Sequence, residues 1–174
     1  MNTTRLFVSI FVTALALFAT NASAQNKPAP PAAVTFKSLK EIVDVLPHPL
    51  VQQLKIKGRM EGAKDDANKI FMEKAVGKTA TIKVRAQDWE PWSGPENNND
   101  KTRITMVPAT MNVLGTSFKI ALWILIPPDQ MAVLGKISKG GEITATGELT
   151  RFELALTPEG LKLNGDLRHA KLEK

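Results

Sequence analysis

His48 and His169 are the only histidines in the chain, and there is no cysteine. A bound zinc or iron needs three or four nitrogen, sulfur or carboxylate ligands converging on one point. His48 sits between prolines in "PHP" (Pro47–Pro49), and no carboxylate pair stands at ligand spacing from either histidine. Both are read as hydrogen-bonded or solvated imidazoles, and no metal or cofactor is expected. Nucleophilic chemistry finds no better footing. Ser38, Ser93, Ser117 and Ser138 stand in neither a G-x-S-x-G elbow nor an S-x-x-K arrangement. Ser38 instead precedes Glu41 at capping-box spacing. Asp65 and Asp66 open a helix, where acids complement the dipole. "KGG" (Lys139–Gly141) lacks the rest of a phosphate-cradling loop and reads as a turn. The sequence predicts a protein that is not an enzyme.

The remaining signal is basic and aromatic. Lys83 and Arg85 share the polar face of an alternating strand, pointing away from Ile82 and Val84. Lys101 and Arg103 open a second strand. Lys119 begins a third, with Trp123 four residues on and therefore on the same side. Trp89 and Trp92 flank the loop between the first two. Cations beside aromatic rings are what single-stranded nucleic acid uses, and sugar rings also pack on tryptophan. A plainer reading competes with this one. Lys and Arg on the outer face of a strand are ordinary solvation and edge protection. Trp123 shares its face with Ala121 and Leu125, a patch that an amphipathic helix of the same chain could cover. Leu39, Ile42, Val43 and Leu46 supply such a helix face. The expectation is that this helix covers Trp123. The alternative is a ligand face formed by Lys83, Arg85, Trp89, Trp92, Lys101, Arg103, Lys119 and Trp123, facing an anionic polymer such as single-stranded nucleic acid or an acidic glycan.

Those residues depend on elements that the patterning announces. Arg5, the apolar run Leu6–Thr20 and the small residues "ASA" (Ala22–Ala24) read as an export signal cleaved before Gln25. The run falls short of the ~20 residues that span a bilayer, so no membrane span is expected after cleavage. Loss of Arg5 lowers the formal net charge from +6 to +5. Residues 1–24 are thus expected to be signal, 25–34 a proline-rich tether and 35–63 a helical extension. A short helix begins after Ser38 and stops at Pro47. Leu50–Gly58 suits either helix or strand. A second helix is expected over Asp66–Ala75, ended by Gly77.

From Gly77 onward the apolar period changes from 3.6 to 2. Strands are expected at Thr79–Trp89, Thr102–Val113, Ser117–Ile126, Gly140–Leu154 and Leu161–Leu172, with a short helix in Pro127–Ile137. The apolar parity flips between Leu149 and Phe152, and again between Leu167 and Ala170, as bulges would produce. Five strands with one helix between the third and fourth is the order of the Greek-key OB-fold barrel, here over residues 64–174.

Two stretches strengthen that expectation. "ANKIFMEKAVGKTATIKV" (Ala67–Val84) is similar to the helix, "GK" and strand entry of bacterial OB-fold proteins of the tRNA-anticodon-binding-like family. "LGKISKGGEITATGEL" (Leu134–Leu149) resembles their entry into the fourth strand, with Glu142 at the usual acid and Gly147 at the glycine. Arg85 and Ala86 stand where the first strand of that family commonly has a glycine. The resemblance spans Lys64–Lys174. It implies a fold, and not that this chain binds tRNA. The sequence as a whole predicts a monomeric, exported, non-catalytic binding or interaction module. Its partner would be an anionic polymer or another protein of the bacterial envelope, or it would serve as an accessory subunit of an envelope enzyme.

Overall fold

The computed structural model describes residues 35–94 and 99–173, all within one compact unit. The expected signal and tether, residues 1–34, lie outside the described residues.

Alternation governs the sheet. In β2 (Thr79–Pro91) Ala80, Ile82, Val84 and Ala86 are buried while Lys83, Arg85 and Gln87 face out. The other strands are β1 (Thr35–Phe36), β3 (Thr102–Met106), β4 (Ala109–Val113), β5 (Thr116–Ile126), β6 (Glu142–Thr157) and β7 (Gly160–Glu173). That makes seven strands among the described residues, where five were expected. Two causes account for the difference. The Val107–Pro108 step breaks the expected second strand into β3 and β4, since proline has no N–H to give a ladder. Both pieces still run antiparallel to β5, as the pairs Thr105–Trp123 and Ala109–Ile120 show. The extension adds β1, which pairs parallel to the start of β2.

Five of the strands close on themselves. β2 pairs with β3, β3 with β5, β5 with β7, β7 with β6, and β6 again with β2. Only β5 and β7 are parallel within this ring. The connection from β5 to β6 carries a turn of 3-10 helix (Pro128–Gln130) and the short α4 (Met131–Leu134), within the expected interval. Both parity flips are register shifts between β6 and β7, at Leu149/Arg151 and opposite Gly147. At the latter His169 takes a left-handed φ of 51°. A side chain at Gly147 would meet the Arg168 carbonyl at 2.4 Å, which is why a glycine stands there.

Among the described residues three helices precede the ring. α1 (Leu39–Val43) starts at Ser38, whose hydroxyl accepts the Glu41 N–H at 3.2 Å. The Glu41 carboxylate accepts the N–H of Lys37, one residue further out than the reciprocal box predicts. α2 (His48–Gln53) makes the start of the ambiguous stretch helical while residues 54–58 pass through turns, and Pro49 sits in its first turn where its missing N–H costs nothing. α3 (Met60–Lys74) begins before the expected Asp66. Its Phe71 ring meets Phe152 edge-on at 4.9 Å. Asn68 accepts the Leu154 N–H at 2.6 Å and donates to the Leu154 carbonyl at 3.0 Å. Pairing of β6 with β2 ends at Glu148, so α3 covers the edge that β2 leaves open. Ile42, Val43, Val51, Leu54 and Phe71 join Ile82, Phe118, Leu122 and Phe152 in one core. No helix among the described residues is long and apolar enough to cross a membrane.

Candidate ligand face

A row of side chains crosses the outside of the ring, and strand register sets it. Glu90 on β2 stands opposite Arg103 on β3. On β5, Leu125 lies opposite Arg103 and Trp123 opposite Thr105. Trp123 pairs in turn with Asp166 on β7, and Asp166 with Arg151 on β6. Trp92 joins from the end of β2, where its N–H donates to the Lys101 carbonyl at 2.7 Å.

The Arg103 guanidinium lies 4.5 Å from the Trp123 ring and 5.2 Å from that of Trp92. The two indoles are 6.4 Å apart and tilted by 52°. Arg151 is 5.4 Å from Trp123. Each such contact contributes about 0.5–1 kcal/mol at an exposed site. Trp123 nevertheless remains 38% exposed, beside a groove of about 290 Å³ lined by Ala121, Trp123, Arg151, Lys162, Asn164 and Gly165. The Trp92 Nε1 is buried and has no hydrogen-bond partner among the described residues.

The expectation that the first helix covers Trp123 is therefore corrected. α1 buries Ile42 and Val43 elsewhere, and Leu39 borders a different groove with Lys83, Arg85, Met106 and Pro108. The pair Phe36–Ala80 ties the chain to the start of β2 just before α1 begins, which fixes where that helix can dock.

Of the eight residues singled out by sequence, Trp92, Arg103 and Trp123 come together. The others are dispersed. Lys83 lies 3.1 Å from Glu142, and Arg85 donates to the Gly140 carbonyl at 2.9 Å. Lys119 holds Glu159 at 2.5 Å. That hydrogen bond keeps the Glu159 carboxyl below its ordinary range. Trp89 is turned by the register shift at Ala86/Asp88 to pack partly on the core, with Lys139 5.9 Å from its ring. Lys139 also bonds Asp88, and this lowers the Asp88 carboxyl, assisted by the Trp89 N–H. The Lys101 N–H donates to the Ile126 carbonyl.

Charge on the Trp123 face is balanced. Arg103 donates to Glu90. Arg151 grips both carboxylate oxygens of Asp166, each at 3.0 Å, and reaches Glu153 at 3.3 Å. Sequence reasoning missed Arg151, Lys162, Asn164 and Asp166, because only the parallel β5–β7 pairing brings them beside Trp123. Their one local trace is the alternation of Lys162, Asn164 and Asp166 with Leu161, Leu163 and Leu167.

The histidines remain apart from this face. His169 donates its N–H to both oxygens of the buried Asp100, and its Nδ1 lies 3.4 Å from Asp100 Oδ1. Among the described residues no group of three or more His, Cys, Asp or Glu is placed to hold a metal ion.

No family model and no curated protein sequence matches the chain. Similarity to solved structures is weak. A small single-stranded DNA-binding protein from Streptomyces coelicolor is 13% identical, with a TM-score of 0.30, over 55% of this chain and 89% of that one. A putative aspartyl-tRNA synthetase from Leishmania major Friedlin is 10% identical, with a TM-score of 0.28, over 85% of this chain and 22% of that one. The closed ring of strands rests on this chain's own pairings.

Proposed function

We propose that the chain is an exported OB-fold binding module without catalytic activity, whose ligand surface is the Trp92–Arg103–Trp123–Arg151 face. The observation that carries this reading is Trp123, a large indole left partly exposed on a sheet face and held by two guanidiniums. An indole fixed in this way loses little freedom on binding, which is the economy of a preorganised platform. The strand order supports the OB-fold: five strands in a ring, a helix before the fourth and a parallel closure of third on fifth. In that fold the second and third strands, here β3 and β5, form the usual ligand surface. The leader motif supports export, and the stretches Ala67–Val84 and Leu134–Leu149 support kinship with the tRNA-anticodon-binding-like family.

The test compares parent protein with Trp123→Ala against isolated envelope polymers, single-stranded DNA and envelope protein fractions. Retention of a ligand by the parent and its loss from a folded Trp123→Ala variant supports the reading. A ligand held equally by both refutes it. Export is checked by sequencing the mature N-terminus, expected to read "QNKPAP".

A second reading, an anionic-polymer binder, draws on the net charge of +5 that remains once Arg5 is cleaved away. It predicts binding of single strands that weakens steeply with salt, since each neutralised phosphate contributes about 0.7 to the slope of log K on log salt.

A further inference from the structure

We propose that the groove beside Trp123 takes a neutral, polyhydroxylated ring, as one unit of an uncharged glycan chain. This deepens the reading of that face as the ligand surface and rests on it. Three facts about the groove point the same way.

The first is its charge. Arg103 is paired with Glu90, and Arg151 with Asp166 and Glu153. Of the groove's own lining, Arg151 carries those carboxylate partners, with Lys162 beside it. A phosphate arriving here gains little, because affinity for a polyanion comes from neutralising its charge. Lys119, opposite Lys162 in the β5–β7 ladder, is itself paired with Glu159, and Lys83 lies elsewhere holding Glu142.

The second is the mixture of hydrogen-bonding groups. Guanidinium and ammonium groups only donate, ionised carboxylates only accept, and the Asn164 amide does both. Glu153 lies opposite Asn164 in the β6–β7 ladder, and Asp166 opposite Arg151, so a carboxylate stands across from each of these two lining residues. A phosphate oxygen at neutral pH only accepts, and at Arg151 it would compete with the carboxylates already bonded there. A hydroxyl donates and accepts, and can satisfy neighbouring groups of both kinds.

The third is shape. Ala121 sits between Lys119 and Trp123 along the outer face of β5, opposite Asn164 on β7. The small side chain leaves a depression with the indole as one wall. A sugar ring has an apolar C–H surface for an indole and a polar rim for the groups around it, the division of labour by which ligand sites combine aromatic area with a few placed polar groups.

The experiment titrates the purified protein with a neutral tetramer of N-acetylglucosamine and, separately, with an oligothymidylate, at low and high salt. Tryptophan fluorescence and calorimetry report binding. Circular dichroism confirms that each variant is folded. The expected result is saturable sugar binding that salt does not change. Trp123→Ala weakens it by about tenfold or more, the scale of one lost stacking contact. Arg151→Lys, which keeps the charge but loses the two-pronged grip, also weakens it, while Trp89→Phe does not. Absence of sugar binding overturns the inference. If oligothymidylate alone binds, with steep salt dependence and sensitivity to Trp123→Ala, the glycan inference fails while the ligand face stands. Sugar binding unaffected by both Trp123→Ala and Arg151→Lys overturns the inference and the face together.

Discussion

Asn68 and Leu154 are joined by two hydrogen bonds, one in each direction, so that a helix side chain stands in for a missing strand. The backbone of Leu154 is thereby satisfied on the side that β2 has left. Asn68→Ala would leave a partly buried N–H and carbonyl without partners. A loss of about 2–3 kcal/mol is expected, near the cost of stranding such groups. Urea denaturation of parent and variant measures it. Asn68→Asp should recover only part of the loss, because it restores the acceptor but sets a carboxylate against the Leu154 carbonyl.

Trp123 and Phe118 lie on the same strand and should respond to very different degrees. Phe118 is fully buried, and Phe118→Ala should cost about 3–5 kcal/mol. Trp123→Ala should cost about 1–2 kcal/mol, the sum of its contacts with two guanidiniums. A cost for Trp123 matching that of Phe118 would mean the indole is a packing residue after all. Thermal and urea melts of both variants distinguish the cases.

The hairpin between β4 and β5 turns through Leu114 and Gly115, with φ of 53° and 73°. Both values are left-handed, as a two-residue turn of the primed kind requires. Glycine adopts this freely, and leucine is strained there by roughly 1–2 kcal/mol. Leu114 is also partly exposed, and its carbonyl, which accepts from Lys55 at 2.7 Å, is unaffected by its side chain. Leu114→Asn should therefore raise stability by about 1 kcal/mol, read as a higher urea midpoint.

Glu159 titrates low because Lys119 hydrogen-bonds its charged form. A carboxyl depressed in the folded state stabilises the fold above the unfolded value, taken as 4.5, and loses that contribution as pH falls through the folded one. Both side chains are exposed, so the effect on stability is small and salt-sensitive. The sharper readout is the titration itself. In Lys119→Met the carboxyl carbon of Glu159 should titrate at higher pH than in the parent.

How much of this was legible in the sequence depends on how local each feature is. Alternation revealed β2, and the parity flips at Leu149/Phe152 and Leu167/Ala170 revealed bulges, because side-chain direction reports register residue by residue. Ser38 announced its helix start for the same reason. The break at Pro108 was visible but read through, since the apolar pattern of Thr102–Val113 continues past it. The docking of α1 was misread because amphipathicity shows that a helix needs a partner and not which one. Half of the Trp123 face escaped notice entirely. Arg151 and Asp166 face each other across the β6–β7 hairpin, and only the pairing of β7 with the distant β5 carries them to Trp123; nothing in either stretch marks which neighbour its polar face will meet.

The closure of the ring carries a kinetic consequence. Thr79–Arg85 of β2 must find Glu142–Glu148 of β6, and β5 must find β7, across long intervening stretches of chain. The β4–β5 and β6–β7 hairpins can zip locally, but closure pays its loop entropy before any of its contacts form. Folding dominated by such non-local pairing belongs in the millisecond-to-second range. Until β2 and β6 meet, each presents a bare edge to other chains, so crowding at high concentration threatens the nascent molecule more than the finished one.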